Sequence, residues 1–154
     1  MNNDYLSRKQ DSGFQKNKSS DLKELMTLPE KGFLNKNTYV EDAMRCFDNI
    51  NPKSIITSSK LRSLYSMLCD IITNDSDNRT EKISDDCLSA MRLMRVHIIY
   101  DMGRDEKVRG FVESSHLIAY LVYIEKSRSR SDFDVFCKYF EALVAFHRYL
   151  FPKE

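Results

Sequence analysis

Histidines and paired carboxylates are the side chains of this sequence that could bind a metal or transfer protons. The three histidines, His97, His116 and His147, are scattered, and no two have a spacing that places both on one helix face. His147 falls on an apolar helical stripe, where a buried, hydrogen-bonded histidine is more common than a catalytic base. Asp85 and Asp86 fall at a predicted helix start, where the helix dipole favours carboxylates without any metal.

The sequence lacks the motifs of known catalytic sites. The chain contains no nucleophile motif, P-loop, dinucleotide fingerprint or HExxH. The sequence therefore predicts a protein that is not an enzyme and that uses no cofactor and no metal.

The cysteines and the apolar segments bear on the compartment of the protein. Cys46, Cys69, Cys87 and Cys137 form no CxxC or CxxH pair. Each falls in a predicted helix or at its start, so we expect free, reduced thiols rather than disulfides or a zinc site. No apolar signal segment stands at the N-terminus, and no apolar run approaches membrane-spanning length. We therefore expect a cytoplasmic protein with no membrane partner.

The composition favours one helical domain with little net charge. The chain has 154 residues with only four glycines and three prolines, and it is rich in residues of high helix propensity. Its net charge is +1, whereas a dedicated nucleic-acid-binding protein is usually far more basic. Any contact with nucleic acid must therefore come from a local basic face, or be shared with partner subunits.

Apolar residues at helical spacing predict five helices and no strand. The predicted helices cover about residues 38–49, 57–73, 84–102, 107–125 and 131–150. Thr57 or Ser58 is expected to cap the second helix and Ser131 the fifth, and Gly103 is expected to end the third. The predicted fold class is all-α, a compact five-helix bundle.

The chain divides into two predicted regions. Residues 38–154 form the helical bundle domain. Residues 1–37 are polar and charged, and we expect a flexible N-terminal arm there, which a partner could partly order. A plain disordered tail explains this segment equally well.

The fourth and fifth predicted helices are apolar over most of their circumference. Such a helix is either central in the bundle or carries a subunit interface. The pattern alone favours neither alternative.

Basic residues cluster at two predicted helix starts. Lys60 and Arg62 flank the apolar stripe in the first turn of the second helix, where unpaired backbone N–H groups would also suit a phosphate. Arg104, Lys107 and Arg109 surround the turn between the third and fourth helices and could follow a phosphate backbone. Ordinary solvated charges or local ion pairs with the interleaved acidic residues are the alternative.

Arg95 and the Lys126–Ser131 loop carry further positive charge. Arg95 falls on the buried face of the third helix, so it needs a paired acceptor or a ligand phosphate, and Glu141 is a candidate partner. The loop forms a third basic patch through Lys126, Arg128 and Arg130.

Three segments resemble the motifs of one protein family. Residues 56–62, ITSSKLR, resemble its opening T-x-S-K-L-R; residues 94–104, MRVHIIYDMGR, resemble its LRV…Y-x-x-G-R segment; and residues 136–146, FCKYFEALVAF, resemble its C-terminal F-C-[KR]-Y-x-E-A-L-V-A-[YF] helix. The family is the small subunit of the type III-A CRISPR effector, the Csm interference complex. The motifs occur in the family's order and span the chain from about residue 55 to its end.

The resemblance implies a compact helical protein without nuclease activity. Several copies are expected to stack along the inner belly of the effector, beside the backbone subunits that hold the guide RNA, and to line the channel where target RNA pairs. In this family's complexes the backbone subunit cleaves the target, and the large subunit supplies DNA cleavage and cyclic-oligoadenylate synthesis. The expected role is scaffolding and electrostatic contact with guide and target RNA, in antiviral and anti-plasmid defence.

The resemblance and the basic clusters together predict the residues that contact RNA. Family motif positions carry this role to Lys60, Arg62 and Arg104, and also to Arg95 and Lys138. Arg109 matches a basic family position, whereas Lys107 depends on the cluster alone. The predicted RNA-contact residues are Lys60, Arg62, Arg95, Arg104, Lys107, Arg109 and Lys138.

A helical protein–protein adaptor or spacer with no direct RNA contact is the alternative function. It is based on the apolar faces of the fourth and fifth predicted helices and on the modest net charge. Under this alternative, Tyr120, Ile124 and Tyr149 would form the assembly surface.

Overall fold

Six α-helices follow one another from residue 39 in the computed structural model, which describes residues 21–76, 78 and 80–152. They are α1 (Tyr39–Arg45), α2 (Ser58–Asn74), α3 (Asp85–Arg104), α4 (Glu106–Ser115), α5 (Leu117–Ser127) and α6 (Arg130–Leu150). A 3-10 turn, Pro52–Ser54, precedes α2, and residues 21–25 are also helical. The predicted all-α class is confirmed. Within the described ranges, no helix is both long and apolar enough to cross a membrane.

Side-chain caps fix where three of the helices begin. Thr57, Ser84 and Ser129 each accept a hydrogen bond from the backbone N–H three residues further on, at 3.2, 3.0 and 3.3 Å. Each bond satisfies one of the N–H groups that a helix start leaves without an intrahelical partner. The cap predicted at Thr57 is confirmed. The last helix begins earlier than the predicted cap Ser131, because Ser129 makes the capping bond.

The helix predicted over residues 107–125 is interrupted at His116. This residue adopts a left-handed backbone conformation, with φ of 58°, so it ends α4 and starts α5. The C=O of His116 then accepts the N–H of Tyr120 at 3.0 Å. Histidine is one of the residues enriched in this conformation, and no glycine or proline marks the break in the sequence.

The turn between α3 and α4 is tighter than predicted. Gly103 lies inside the last turn of α3, which continues to Arg104, so Gly103 does not end the helix. Asp105 ends α3 and also caps α4, because its side chain accepts the backbone N–H of Lys107 at 2.9 Å.

Helix α5 lies at the centre of the bundle. Six of its side chains are at most 1% exposed: Leu117, Ile118, Ala119, Tyr120, Leu121 and Ile124. The hydroxyl of Tyr139 on α6 donates a hydrogen bond to the C=O of Ser115 at 2.9 Å, and its ring packs edge-on against Tyr120 with centroids 5.5 Å apart. The most apolar part of the sequence is therefore core.

For α5, this burial decides between the two interpretations in favour of a central helix. Tyr120 and Ile124, which the adaptor alternative assigned to an assembly surface, are buried, so that assignment is wrong for both. Tyr149, assigned to the same surface, is exposed at the end of α6. His147, one turn before the end of α6, is buried with its Nε2 2.6 Å from the backbone oxygen of Ile56, which confirms it as a core histidine.

The predicted arm is described from residue 21 onward, and residues 1–20 lie outside the described residues. Leu34 is buried, and the ring of Phe33 stacks on Tyr123 of α5 with centroids 4.4 Å apart. Leu25, Met26 and Leu28 are partly buried against the core. The described part of the arm thus packs on the bundle, and the division of the chain at residue 37 stays a prediction.

Helix α3 presents a row of large apolar side chains to solvent. Leu93, Val96 and Tyr100 of α3 are 58%, 60% and 61% exposed. Their spacing of three and four residues places them in one row along the helix. We call this row the outer stripe of α3.

We predict a large difference in stability between two leucine truncations. Leu64 of α2 is fully buried, so Leu64→Ala should lower the free energy of unfolding by about 2–5 kcal/mol. Leu93→Ala is the matched control, because the same atoms are removed from an exposed site, and its effect should stay within about 0.5 kcal/mol. Urea unfolding followed by circular dichroism measures both. Equal effects of the two substitutions would contradict the described core.

Candidate nucleic-acid interface

The first turn of α2 lies beside the C-terminal end of α3. Lys60 of α2 places its Nζ 3.6 Å from Oδ2 of Asp101 on α3. Arg104, one turn further along α3, is exposed, and its Cζ lies 5.4 Å from the ring centroid of Tyr100. Asp101, one of the acidic residues that could have paired locally with Arg104, instead forms an ion pair with Lys60.

The same end of the bundle contains the last turns of α6 and the first turn of α4. Arg62 and Arg148 are exposed and line a groove of 110 Å³ between α2 and α6. Lys107 is exposed in the first turn of α4, where Asp105 accepts its backbone N–H. We call this surface the basic end, and its cations are Lys60, Arg62, Arg104, Lys107 and Arg148.

Most cations of the basic end have no carboxylate partner. Within the part of the chain that the structure describes, the side chains of Arg62, Arg104, Lys107 and Arg148 make no ion pair. Several cations without counterions on one surface create a positive potential that attracts phosphate groups. Arg148 was not predicted at this surface from the sequence, because only the packing of α6 against α2 brings it there.

Arg95 lies in the middle of α3, away from the basic end. Its Nη2 is 3.1 Å from Oε1 of Glu125 on α5, and Nε of Arg92 is 3.4 Å from the same oxygen. Met26 of the N-terminal segment places its sulfur 3.7 Å from Nη1 of Arg95. The predicted partner Glu141 is wrong: it is exposed on α6, and Glu125 is the buried carboxylate that needs a cation.

Arg109 is engaged in ion pairs, and Lys138 lies away from the basic end. Nε of Arg109 is 3.0 Å from Glu113, and its Nη2 is 3.4 Å from Asp21. Lys138 is exposed and lines a groove that also contains Ile72, near the end of α2. Since an α-helix rises 1.5 Å per residue, Ile72 is about 18 Å along α2 from Lys60. The structure therefore places Lys60, Arg62, Arg104 and Lys107 at one end of the bundle. Arg95 and Lys138 lie away from that end, and Arg109, two residues after Lys107, is engaged in ion pairs.

The basic loop after α5 has mainly a structural role. Arg130 forms an ion pair with the buried Asp75, and Nη1 of Arg128 is 3.4 Å from Oδ1 of Asp85. The loop backbone also pairs with the segment before α3, since the N–H of Ile83 donates to the C=O of Arg128 at 2.9 Å. Arg130 thus joins the start of α6 to the end of α2, and Arg128 joins the α5–α6 loop to the start of α3.

The two buried cysteines, Cys46 and Cys87, are in unreactive surroundings. Burial raises the pKa of the Cys46 thiol to about 12 and that of Cys87 to about 11, so both are protonated at neutral pH. Burial and the nearby charge of Lys31 lower the pKa of His116. In the described ranges, no group of three or more histidines, cysteines and carboxylates could hold a metal ion.

Comparison with known proteins agrees with the motifs. The family model described as Csm2 Type III-A matches residues 35–153. The chain is 30% identical over 115 residues to the CRISPR system Cms protein Csm2 of Enterococcus italicus. The aligned region covers 71% of this chain and 82% of the relative. It is 26% identical over 120 residues to the protein of the same name from Streptococcus thermophilus, covering 75% and 93%.

These findings identify the class and then the family. An all-helical fold with three motifs of the type III-A small subunit defines a small subunit of a CRISPR effector. The chain belongs to the Csm2 family of type III-A systems. The resemblance found in the sequence is thereby confirmed, and the family match begins at residue 35, ahead of the first motif.

We predict that Arg95 is needed for stability. Arg95→Ala leaves the buried Glu125 with only the longer contact to Arg92, so the free energy of unfolding should fall by about 1–3 kcal/mol. Arg92→Ala is the matched control and should have a smaller effect, because Arg92 is more exposed and its contact is longer. Urea unfolding at pH 7 measures both, and a larger effect of Arg92→Ala would contradict this assignment.

We also predict a pH dependence that originates at Asp75. Its burial alone would raise the pKa of the carboxyl, but hydrogen bonds from Ser84, at 2.6 Å, and from Arg130 outweigh burial and lower the pKa. A lowered folded-state pKa contributes stability above the unfolded value of about 3.9, and this contribution is lost as the pH falls through the folded value. Asp75→Asn should therefore be less stable than the wild type at pH 7 and should lose less stability below pH ~4.

Urea midpoints at pH 7, 4 and 3 and constant ionic strength test this expectation. Asp85→Asn is the control, because its carboxylate is solvent-exposed beside Arg128. Wild-type pH dependence in Asp75→Asn would show that another group controls acid unfolding.

Proposed function

We propose that this subunit is non-catalytic and contacts the RNA backbone of the type III-A effector through its basic end. The supporting observation is the set of exposed cations at one end of the bundle, since Arg62, Arg104 and Lys107 have no ion pair among the described residues. Phosphate groups are the ligands that such cations bind without reading base sequence. A guide-directed channel must accept any sequence, so contacts of this kind fit it.

The arginines described elsewhere in the bundle differ from those of the basic end, because they are ion-paired, and this supports the choice of the basic end as the RNA-contact surface. Arg95, Arg109 and Arg130 each pair with a carboxylate of the chain, and burial of the partner makes the pairs of Arg95 and Arg130 costly to break. RNA contact by Arg95, Arg109 and Lys138 stays a prediction. We propose that Lys60 contacts an RNA phosphate while it keeps its ion pair with Asp101.

The proposed partners are guide RNA, target RNA and the other Csm subunits. These are the backbone subunit, the large subunit and further copies of this chain, stacked along the inner belly of a cytoplasmic defence complex. A net charge of +1 suits a subunit that shares its RNA with neighbours, because no single copy needs to supply the whole positive surface. The basic end supplies a local patch instead.

A spacer without RNA contact is the second candidate function. The observation in its favour is the outer stripe of α3, together with the exposed Tyr149, because exposed apolar side chains are typical of protein–protein contacts.

We predict that charge reversal at the basic end weakens target-RNA binding and its salt dependence. Arg62→Glu/Arg104→Glu should assemble into the Csm complex and bind target RNA more weakly, with a salt slope reduced by about one per lost phosphate contact. Lys60 is left unchanged, since a glutamate there would repel Asp101. The measurement is a filter-binding titration of the assembled complex across a salt series.

Lys82→Glu/Lys126→Glu is the matched control, because it changes the charge equally at exposed residues outside the basic end. The proposal fails if the basic-end variant assembles and binds like the control. A complex that lacks this subunit but binds target RNA normally would also refute it.

A further inference from the structure

The C-terminal end of the outer stripe coincides with the basic end. Tyr100 is 61% exposed, although an exposed phenol ring contributes little to the core. No hydrogen bond of its hydroxyl is found within the described residues. Core packing therefore does not explain why a tyrosine stands here.

A cation lies over the ring of Tyr100. The Cζ of Arg104 is 5.4 Å from the ring centroid, and the guanidinium has no carboxylate partner among the described residues. An arginine over an aromatic face is attracted to the ring electrons while its N–H groups remain available to an anion. Lys60 lies nearby through its ion pair with Asp101, the residue after Tyr100.

We propose that Tyr100 stacks on an unpaired base of bound RNA while Arg104 contacts the neighbouring phosphate. This inference rests on the proposed function and adds a ligand class, single-stranded nucleotides, to the phosphate contacts of the basic end. Proteins that bind single strands combine cationic grooves with aromatic rings on which bases stack. Every base has a π-face, so the contact tolerates any sequence.

The surroundings of the ring favour a base over a protein side chain. Within one turn of Tyr100 the exposed charge is positive at Arg104, whereas Asp101 is neutralised by Lys60. Leu93 and Val96 continue the stripe away from the basic end, where Arg92 is paired with Glu125. A protein partner would use the whole stripe, but a nucleotide needs only its aromatic end.

Target-RNA binding by the assembled Csm complex across a salt series tests the proposal. Tyr100→Ala should weaken binding by roughly 10-fold, at every salt concentration, with an unchanged salt slope, because stacking releases no counterions. Tyr100→Trp should retain wild-type affinity, since it keeps a stacking surface. Leu93→Ala is the matched control at the other end of the stripe and should bind normally.

Three outcomes would overturn the proposal. Wild-type binding by Tyr100→Ala refutes stacking, and the proposed function still stands if Arg62→Glu/Arg104→Glu binds weakly. A reduced salt slope in Tyr100→Ala shows that the ring only positions Arg104, which also refutes stacking. Loss of the subunit from the complex in both Tyr100→Ala and Leu93→Ala identifies the stripe as a protein contact and overturns the proposal.

Discussion

Burial of α5 is the constraint on which the rest of the structure depends. A helix with apolar side chains on nearly every face is stable only when other helices cover it, because each exposed side chain would forgo the free energy of leaving water. Helices α3, α4 and α6 all pack against α5, and the N-terminal segment adds Phe33 to the same surface. The left-handed residue His116 makes this possible, since it lets α5 leave the axis of α4 without an intervening loop.

The same constraint determines which charges remain available. Glu125 lies at the end of α5 and becomes buried with it, so α3 must provide Arg92 and Arg95 as counterions. Asp75 at the end of α2 requires Arg130 for the same reason. Among the described residues, the buried carboxylates Asp75 and Glu125 both lie away from the basic end. Within the described part of the chain, its arginines and Lys107 make no ion pair, whereas Arg92, Arg95 and Arg130 are paired with buried carboxylates.

Local signals in the sequence predicted the local features of the fold. Thr57 was predicted as a cap because its hydroxyl needs only the N–H three residues away, and His147 as a core residue because apolar residues surround it at helical spacing. The break at His116 had no local signal, since glycine and proline are absent there. The predicted partner of Arg95 was wrong because no local pattern in the sequence distinguishes Glu125 from Glu141. Only the packing of α5 on α3 brings Glu125 to Arg95. Arg148 joined the basic end for the same non-local reason.

The graded burial of the four thiols gives the molecule a built-in set of reporters. Cys46 and Cys87 are buried in different regions, between α1 and α2 and at the start of α3, whereas Cys69 and Cys137 are half-buried. A buried thiol reacts with an alkylating reagent only when its region opens, so its labelling rate reports the free energy of that local opening. The order in which Cys46 and Cys87 are labelled would therefore rank their two regions by how readily they open, with no substitution needed in the chain.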